Sequence, residues 1–229
     1  MVAHGAEGRG AREIVATPPS TGAGATPPAA RPPAAGGRLP AAQRRRQLLD
    51  VARRVLAQRG FYETTMADIA EEAGVTKPVL YQHFASKRDL YTAVLEDIGA
   101  RLRASVVEAA AEAGTPRQQV DAGFQAYVRF VDDDAEGFQI LFSGTSRQDG
   151  EWATITSAVE HSIAQGIADL IDVPGISSQH RQALAHGIMG LAEGMMRYWQ
   201  SGSAEGLERD DLVHDLIALA WSGLRGLTP

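Results

Sequence analysis

The sequence predicts an all-α fold: a small head of three helices with helix-turn-helix spacing, then a larger helical domain, both behind a Pro/Ala/Gly-rich leader. Three observations carry this reading. From Ala41 onward apolar residues recur at i, i+3, i+4 and i+7, and no stretch shows the strict alternation of a half-buried strand. Thr65, Thr76 and Ser86 fall within 22 residues, each placed to cap a helical run. Gly and Pro punctuate the remainder at intervals suited to helices.

The leader, residues 1–40, carries 7 of the 11 prolines and stretches such as TPPSTGAGATPPAARPPAAGG. This composition buries too little apolar surface to offset chain entropy, so disorder is expected. It is either an arm that brings Arg31 and Arg38 to a nucleic acid or a dispensable tail. The run QRRRQLLDVARRVLAQRG then places Leu48, Ala52, Val55 and Leu56 on one helix face, with Gly60 as stop. Arg44, Arg45 and Arg46 lie in its first turns, where the helix dipole disfavours cations. An external anion would compensate; plain solvation of a charged face is the alternative.

Thr65 with Asp68 three residues on forms a capping-box variant. Met66, Ile69, Ala70 and Ala73 follow at helical spacing, and Gly74 supplies the stop. Thr76 caps the next helix, whose first turn tolerates Pro78 because amides there lack intrahelical partners. Ser86 with Asp89 caps a longer helix from Lys87 to about Ala113. Helix, three-residue turn, helix and a further helix is helix-turn-helix spacing. Thr115-Pro116 then opens a helix holding Phe124, Tyr127, Val128 and Val131, and a short one covers Ala135–Phe142. EWATITSAVEHSIAQGIADLI makes another, stopped by Pro174-Gly175, and two long helices close the chain at about 178–200 and 209–224. Asp132-Asp133-Asp134 lacks the alternating spacing of a metal loop and reads as a solvated helix end.

The 229 residues suffice for one large domain or two modest ones. No stretch approaches the roughly 18 apolar residues of a membrane-crossing helix, and no apolar secretory segment is present, so a cytoplasmic protein is expected. Cysteine is absent, which removes disulfide and thiolate chemistry. The net charge of −6 alone argues against a nucleic-acid binder. Residues 1–90, however, hold 13 Lys/Arg against 8 Asp/Glu, and residues 91–229 hold 9 against 20. Only the basic front is suited to a polyanion.

Within Thr76–Phe84, Leu80 and Phe84 are i, i+4 and should face the core with Ile69. Lys77, Val79, Gln82 and His83 fall elsewhere. A helix in a major groove puts its N-terminal side chains on base edges and its polar flanks on phosphates. Lys77 suits guanine O6 or N7, Gln82 suits adenine, and Pro78 and Val79 suit a thymine methyl. Tyr81, His83 and Lys87 each offer a donor to phosphate oxygens. Each also has a plainer reading: Tyr81 in the core, His83 as a helix end cap, Lys87 as a solvated charge.

The stretch RRRQLLDVARRVLAQRGFYETTMADIAEEAGVTKPVLYQHFASKRDLYTAVL resembles the DNA-binding domain of the tetracycline-repressor (TetR) family over roughly residues 41–97. The markers are Gly60-Phe61, Thr65, Ile69-Ala70, Ala73-Gly74-Val75, Leu80-Tyr81, His83-Phe84 and Ser86-Lys87. The resemblance implies that Lys77, Pro78, Val79 and Gln82 read bases and that Thr65, Thr76, Tyr81, His83 and Lys87 grip phosphates. Arg44 joins the phosphate set through its unfavourable place on the first helix. The resemblance further implies that residues 98–229 form a helical ligand-binding and dimerisation domain, so that a homodimer binds a palindromic operator in double-stranded DNA as a repressor.

Within residues 98–229, large apolar groups at helical spacing are mostly core, but Phe124, Tyr127, Phe142, Trp152, Met189 and Met196 are candidates to line a pocket for a small, largely apolar effector. In GIMGLAEGMMRYW, Gly187, Gly190 and Gly194 each cost about 1 kcal/mol relative to Ala, so a packing reason is expected. With Tyr198, and with Leu212, Leu216 and Leu219 of the final helix, they are candidates for a dimer interface built from two helices of each protomer. Packing within one protomer explains the same pattern. His161, His180, His186 and His214 form no ligand triad, so no metal is expected. No nucleophile elbow, phosphate loop or Rossmann fingerprint is present, so neither an enzyme nor a cofactor is expected. The alternative to the ligand-released repressor is a DNA-binding regulator with no small effector, constitutive or controlled by a protein partner.

Overall fold

Nine helices and no strand are present among the residues that the computed structural model describes, 39–142 and 150–226. The leader expected over residues 1–40 lies, as far as Arg38, outside the described residues. Helix α1 (Ala41–Glu63) buries Leu48, Ala52, Val55 and Leu56. Gly60 breaks its regular path at φ 77, ψ 171, a left-handed backbone that disfavours any side chain. Helix α2 (Met66–Glu72) ends at Gly74, with φ 64, and α3 (Lys77–His83) follows. Leu48, Ile69, Leu80 and Leu90 have no exposed surface and centre the head.

Helix α4 (Lys87–Ala111) packs against α1, α5 (Pro116–Asp133), α6 (Ala135–Phe142) and α7 (Gly150–Ala168). Gly99 permits one of these contacts: a Cβ there would collide with Val159 Cγ1 of α7. Helices α8 (Ser178–Gln200) and α9 (Arg209–Arg225) pack on each other, α8 also on α7 and α5, and α9 on α5. The starts read at Thr65, Ser86 and Thr115 are made as caps, and Ser177 adds one at the start of α8. Ser86, Thr115 and Ser177 each accept a backbone amide at the start of α4, α5 and α8. No helix among the described residues is long and apolar enough to cross a membrane.

Asp132 and Asp133 are exposed, as expected of a solvated helix end, but Asp134 departs from it. Asp134 is 6 % exposed and accepts the Gly137 amide at 2.8 Å, closing the start of α6. It pairs with Arg53 of α1 and, at 2.7 Å, with Arg101 of α4. Arg101 also meets Asp97 at 2.9 Å, and Asp97 meets Arg46 at 2.9 Å. One carboxylate thus joins α1, α4 and the α5–α6 corner. An Asp directly before the periodic run AEGFQILF is an N-cap signal, and it went unread in the sequence.

Candidate nucleic-acid interface

The helix expected to read bases, α3, is set by what precedes it. Thr65 and Asp68 complete the capping box: the Thr65 hydroxyl accepts the Asp68 amide at 3.2 Å, and Asp68 Oδ2 accepts the Thr65 amide at 2.8 Å. Asp68 also accepts the Thr65 hydroxyl at 2.7 Å. That hydroxyl and then the amide hold the Asp68 carboxyl below its ordinary range against desolvation, with the charges of Arg59 and Lys77 adding to them. A phosphate contact from Thr65 has to draw its hydroxyl or amide from Asp68.

On α3, Leu80 is 0 % and Phe84 1 % exposed, so the i, i+4 edge is buried as spaced. Lys77, Pro78, Tyr81 and Gln82 are exposed, while Val79 and His83 are half-buried. Lys77 with Tyr81, and Pro78 with Gln82, are i, i+4 neighbours on that outer side. Tyr81, at 49 % exposure, is no core residue. Thr76 occupies the cap position of α3, but its side chain makes no cap bond. Pro78 has no amide to offer, and the Val79 amide is already bonded to the Thr76 carbonyl at 3.0 Å. The hydroxyl is therefore not spent on the helix end.

The three arginines of α1 part company. Arg44 Nη1 donates to Gln47 Oε1 at 2.6 Å, Arg45 lies 4.4 Å over the Phe84 ring, and Arg46 turns back to Asp97. Lys87 points inward: Nζ donates to the Phe61 and Thr64 carbonyls at 2.8 Å each and lies 4.2 Å from the Phe61 ring centre.

A second feature lies behind the head. A cavity of about 270 Å³ opens among α4, α5, α6, α7, α8 and α9. Phe124, Tyr127, Phe142 and Met189 line it. Trp152 does not: it is 1 % exposed and packs 4.5 Å from Phe61 and 4.7 Å from Tyr91. Met196 is buried in the core and does not line the cavity. Leu102 and Val106 of α4 and Ile163 and Ile167 of α7, none of them a candidate from sequence, also line the cavity, beside Gln119, Asp172 and Arg225. The i, i+4 spacing of Leu102 and Val106 on α4 was a signal for an apolar wall, though not for a hollow one.

On α8, Gly187, Gly190 and Gly194 are exposed, and nothing lies within 4 Å of a Cβ at any of them. Tyr198 and Leu219 stand out at 49 % and 57 % exposure, and Leu212 is half-buried. Leu216 is fully buried inside the protomer beside Val213, Ile217 and Ala220, so it shares no outer face with Leu212 and Leu219. Among the described residues no three His, Asp or Glu side chains converge as metal ligands.

The comparisons with known proteins agree with this geometry. A family profile described as bacterial regulatory proteins, tetR family, matches residues 48–94. The chain is 32 % identical over 188 residues to the HTH-type transcriptional activator FasR of Mycolicibacterium smegmatis, covering 82 % of this chain and 85 % of that one. It is 43 % identical over 58 residues to the HTH-type transcriptional regulator TtgR of Pseudomonas putida, 25 % of this chain and 28 % of TtgR. A TetR-like transcriptional regulator from Rhodococcus sp. RHA1 superposes with a TM-score of 0.64 at 29 % identity, over 83 % of this chain and all of that one.

Proposed function

The chain belongs to the TetR family of bacterial DNA-binding transcription regulators, and from that premise we propose that it acts as a cytoplasmic homodimer whose hold on a palindromic operator changes when a small apolar molecule fills the cavity. In this reading residues 41–97 hold DNA, and residues 98–229 hold the effector and the partner protomer. The observation that carries it is α3: Leu80 and Phe84 are buried while Lys77, Pro78, Tyr81 and Gln82 stand outward together. That exposure supports Lys77, Pro78 and Gln82 as base readers and Tyr81 on a phosphate; in this reading the half-buried Val79 joins the base set, and Arg44, Thr65, Thr76 and His83 join the phosphate set.

Two copies related by a two-fold axis present two α3 helices to half-sites about one helical turn apart, or a multiple of it. The open glycine face of α8, with Tyr198 and Leu219, supports that face as the partner's seat. Helix α4 joins the two regions: Leu90 lies in the head core and Leu102 and Val106 in the cavity wall. An effector shifts operator affinity only by its own differential affinity for the DNA-bound and released shapes. The apolar lining suits an apolar body, with Gln119, Asp172 and Arg225 as the polar groups that orient it. Repression follows where the operator overlaps the promoter. The Mycolicibacterium relative is named an activator, and the sign depends on where the operator lies relative to the polymerase.

The test is fluorescence anisotropy with duplex fragments from the gene's own upstream region, in a salt series. Tight binding of one fragment, weakening steeply with salt, is expected. Lys77→Ala should relax the preference among fragments, and Tyr81→Phe should weaken all of them alike. No salt-dependent binding to any fragment would overturn the reading. A library of small apolar and aromatic compounds, screened for release of the bound fragment, tests the effector; failure of the whole library would favour a regulator without one. Reporter transcription with and without the gene reads the sign.

A further inference from the structure

We infer that Lys87 is a positioning residue of the DNA-binding head: its ammonium closes the C-terminal end of α1 and fixes the start of α2, instead of gripping a phosphate. The starting point is the break at Gly60, where the backbone leaves the helix at φ 77. Carbonyls beyond such a break have no partner on their own helix. The Gly60 carbonyl takes the Thr64 hydroxyl at 2.7 Å. The Phe61 and Thr64 carbonyls take Lys87 Nζ at 2.8 Å each, and the Tyr62 carbonyl lies 3.5 Å from the same nitrogen. Three carbonyls meet a group with three donors.

Burial makes the arrangement necessary. Thr64 has no exposed surface, so water does not reach it, and a buried carbonyl left unbonded is costly. The placement of Lys87 has no local explanation. It is the first residue of α4, where the helix dipole repels a cation. The α1 carbonyls, at the opposite pole of another helix, offset that, and the Phe61 ring face adds a cation–π contact. Thr64 is followed directly by Thr65, the cap of α2, and Ser86 before Lys87 caps α4. One ammonium therefore ties together the end of α1, the start of α2 and the start of α4, which frame α3.

The inference rests on the DNA-binding reading of the head, and the experiment separates the two. Binding of a duplex from the upstream region is measured across a salt series for the full-length wild type, Lys87→Met, Lys87→Arg and Lys87→Gln, with folding of each checked by circular dichroism. Loss of charge-assisted hydrogen bonds should weaken Lys87→Met by about ten-fold or more at every salt concentration. The slope of log affinity against log salt should stay that of the wild type, and Lys87→Arg, which keeps charged donors, should recover most of the affinity. If Lys87→Met does not fold, Lys87→Gln carries the comparison with one neutral donor kept. A slope shallower by about one for each protomer would make Lys87 a phosphate contact and overturn the inference alone. Unchanged DNA affinity with only a lower melting temperature would also overturn it. Failure of the wild type to bind any duplex would overturn the DNA reading, and this inference with it.

Discussion

The head and the rear of this chain are both helical, yet they keep their chemistry on opposite sides of their packing. In the head, Leu48, Ile69, Leu80 and Leu90 fill the centre without residual exposure, helix ends are closed by Thr65, Ser86 and Lys87, and Lys77, Tyr81 and Gln82 stand outside. The rear keeps a hollow of about 270 Å³ and a helix face whose glycines meet nothing. A surface that reads another molecule needs a dense interior behind it, because tight packing holds outward side chains at fixed spacing. A region that takes a molecule inside must leave that density incomplete and forgo the dispersion contacts it would bring.

That contrast can be broken by measurement. The largest effect should come from Leu80→Ala, which empties a filled site: a loss of about 2–5 kcal/mol in urea unfolding, with DNA binding abolished. Met189→Ala, in a cavity wall that already lacks partners on one side, should cost about 1 kcal/mol or less. Equal costs for the two would end the distinction between filled and hollow.

Asp134→Asn comes next, because it severs the junction between the two regions. A fully buried pair broken on one side costs about 3–5 kcal/mol. With the Arg101 side chain 31 % exposed, solvent screening should reduce this to about 2–3 kcal/mol. Burial pushes the Asp134 carboxyl up, but the Gly137 amide and the Arg101 and Arg53 guanidiniums outweigh it and hold it below the ordinary range. Its stabilisation is therefore complete above the unfolded value, about 3.9, and lost as pH falls through the lower folded value. An acid unfolding series in which Asp134→Asn keeps the wild-type dependence on pH would contradict this.

Thr65→Ala should cost about 1 kcal/mol through the lost cap, read as a small drop in denaturation midpoint. The smallest effect on the single protomer is a gain. Gly190→Ala meets open space in a helix interior and should stabilise α8 by up to about 1 kcal/mol. If α8 seats the partner, the same change should weaken the dimer in sedimentation at low protein concentration. A gain in both stability and association would place the interface elsewhere.

Much of the head was legible because its signals are local. A cap, its amide and a glycine stop lie within a few residues of each other, and Leu80–Phe84 declares its buried edge by spacing alone. Lys87 was the exception. Its partners, Phe61 and Thr64, are 26 and 23 residues earlier, and nothing near it in sequence distinguishes an inward lysine from an outward one. The rear was legible as helices and not as a site. Trp152 and Met196 share the composition of Phe124 and Met189, and only packing decides which of them faces a void. Leu216 and Leu219 look alike in sequence and are separated by burial.

Gly99 stands midway along α4, twelve residues from Lys87 and twelve from Ala111, where a Cβ would collide with Val159. A rigid rod pinned at its centre behaves as a balance beam with arms of about 18 Å. A tilt of about 5° would carry each tip some 1.6 Å, in opposite directions, on that same rise per residue. Were α4 to turn about that contact, Lys87 and Ala111 would move by equal amounts, because Gly99 lies midway between them.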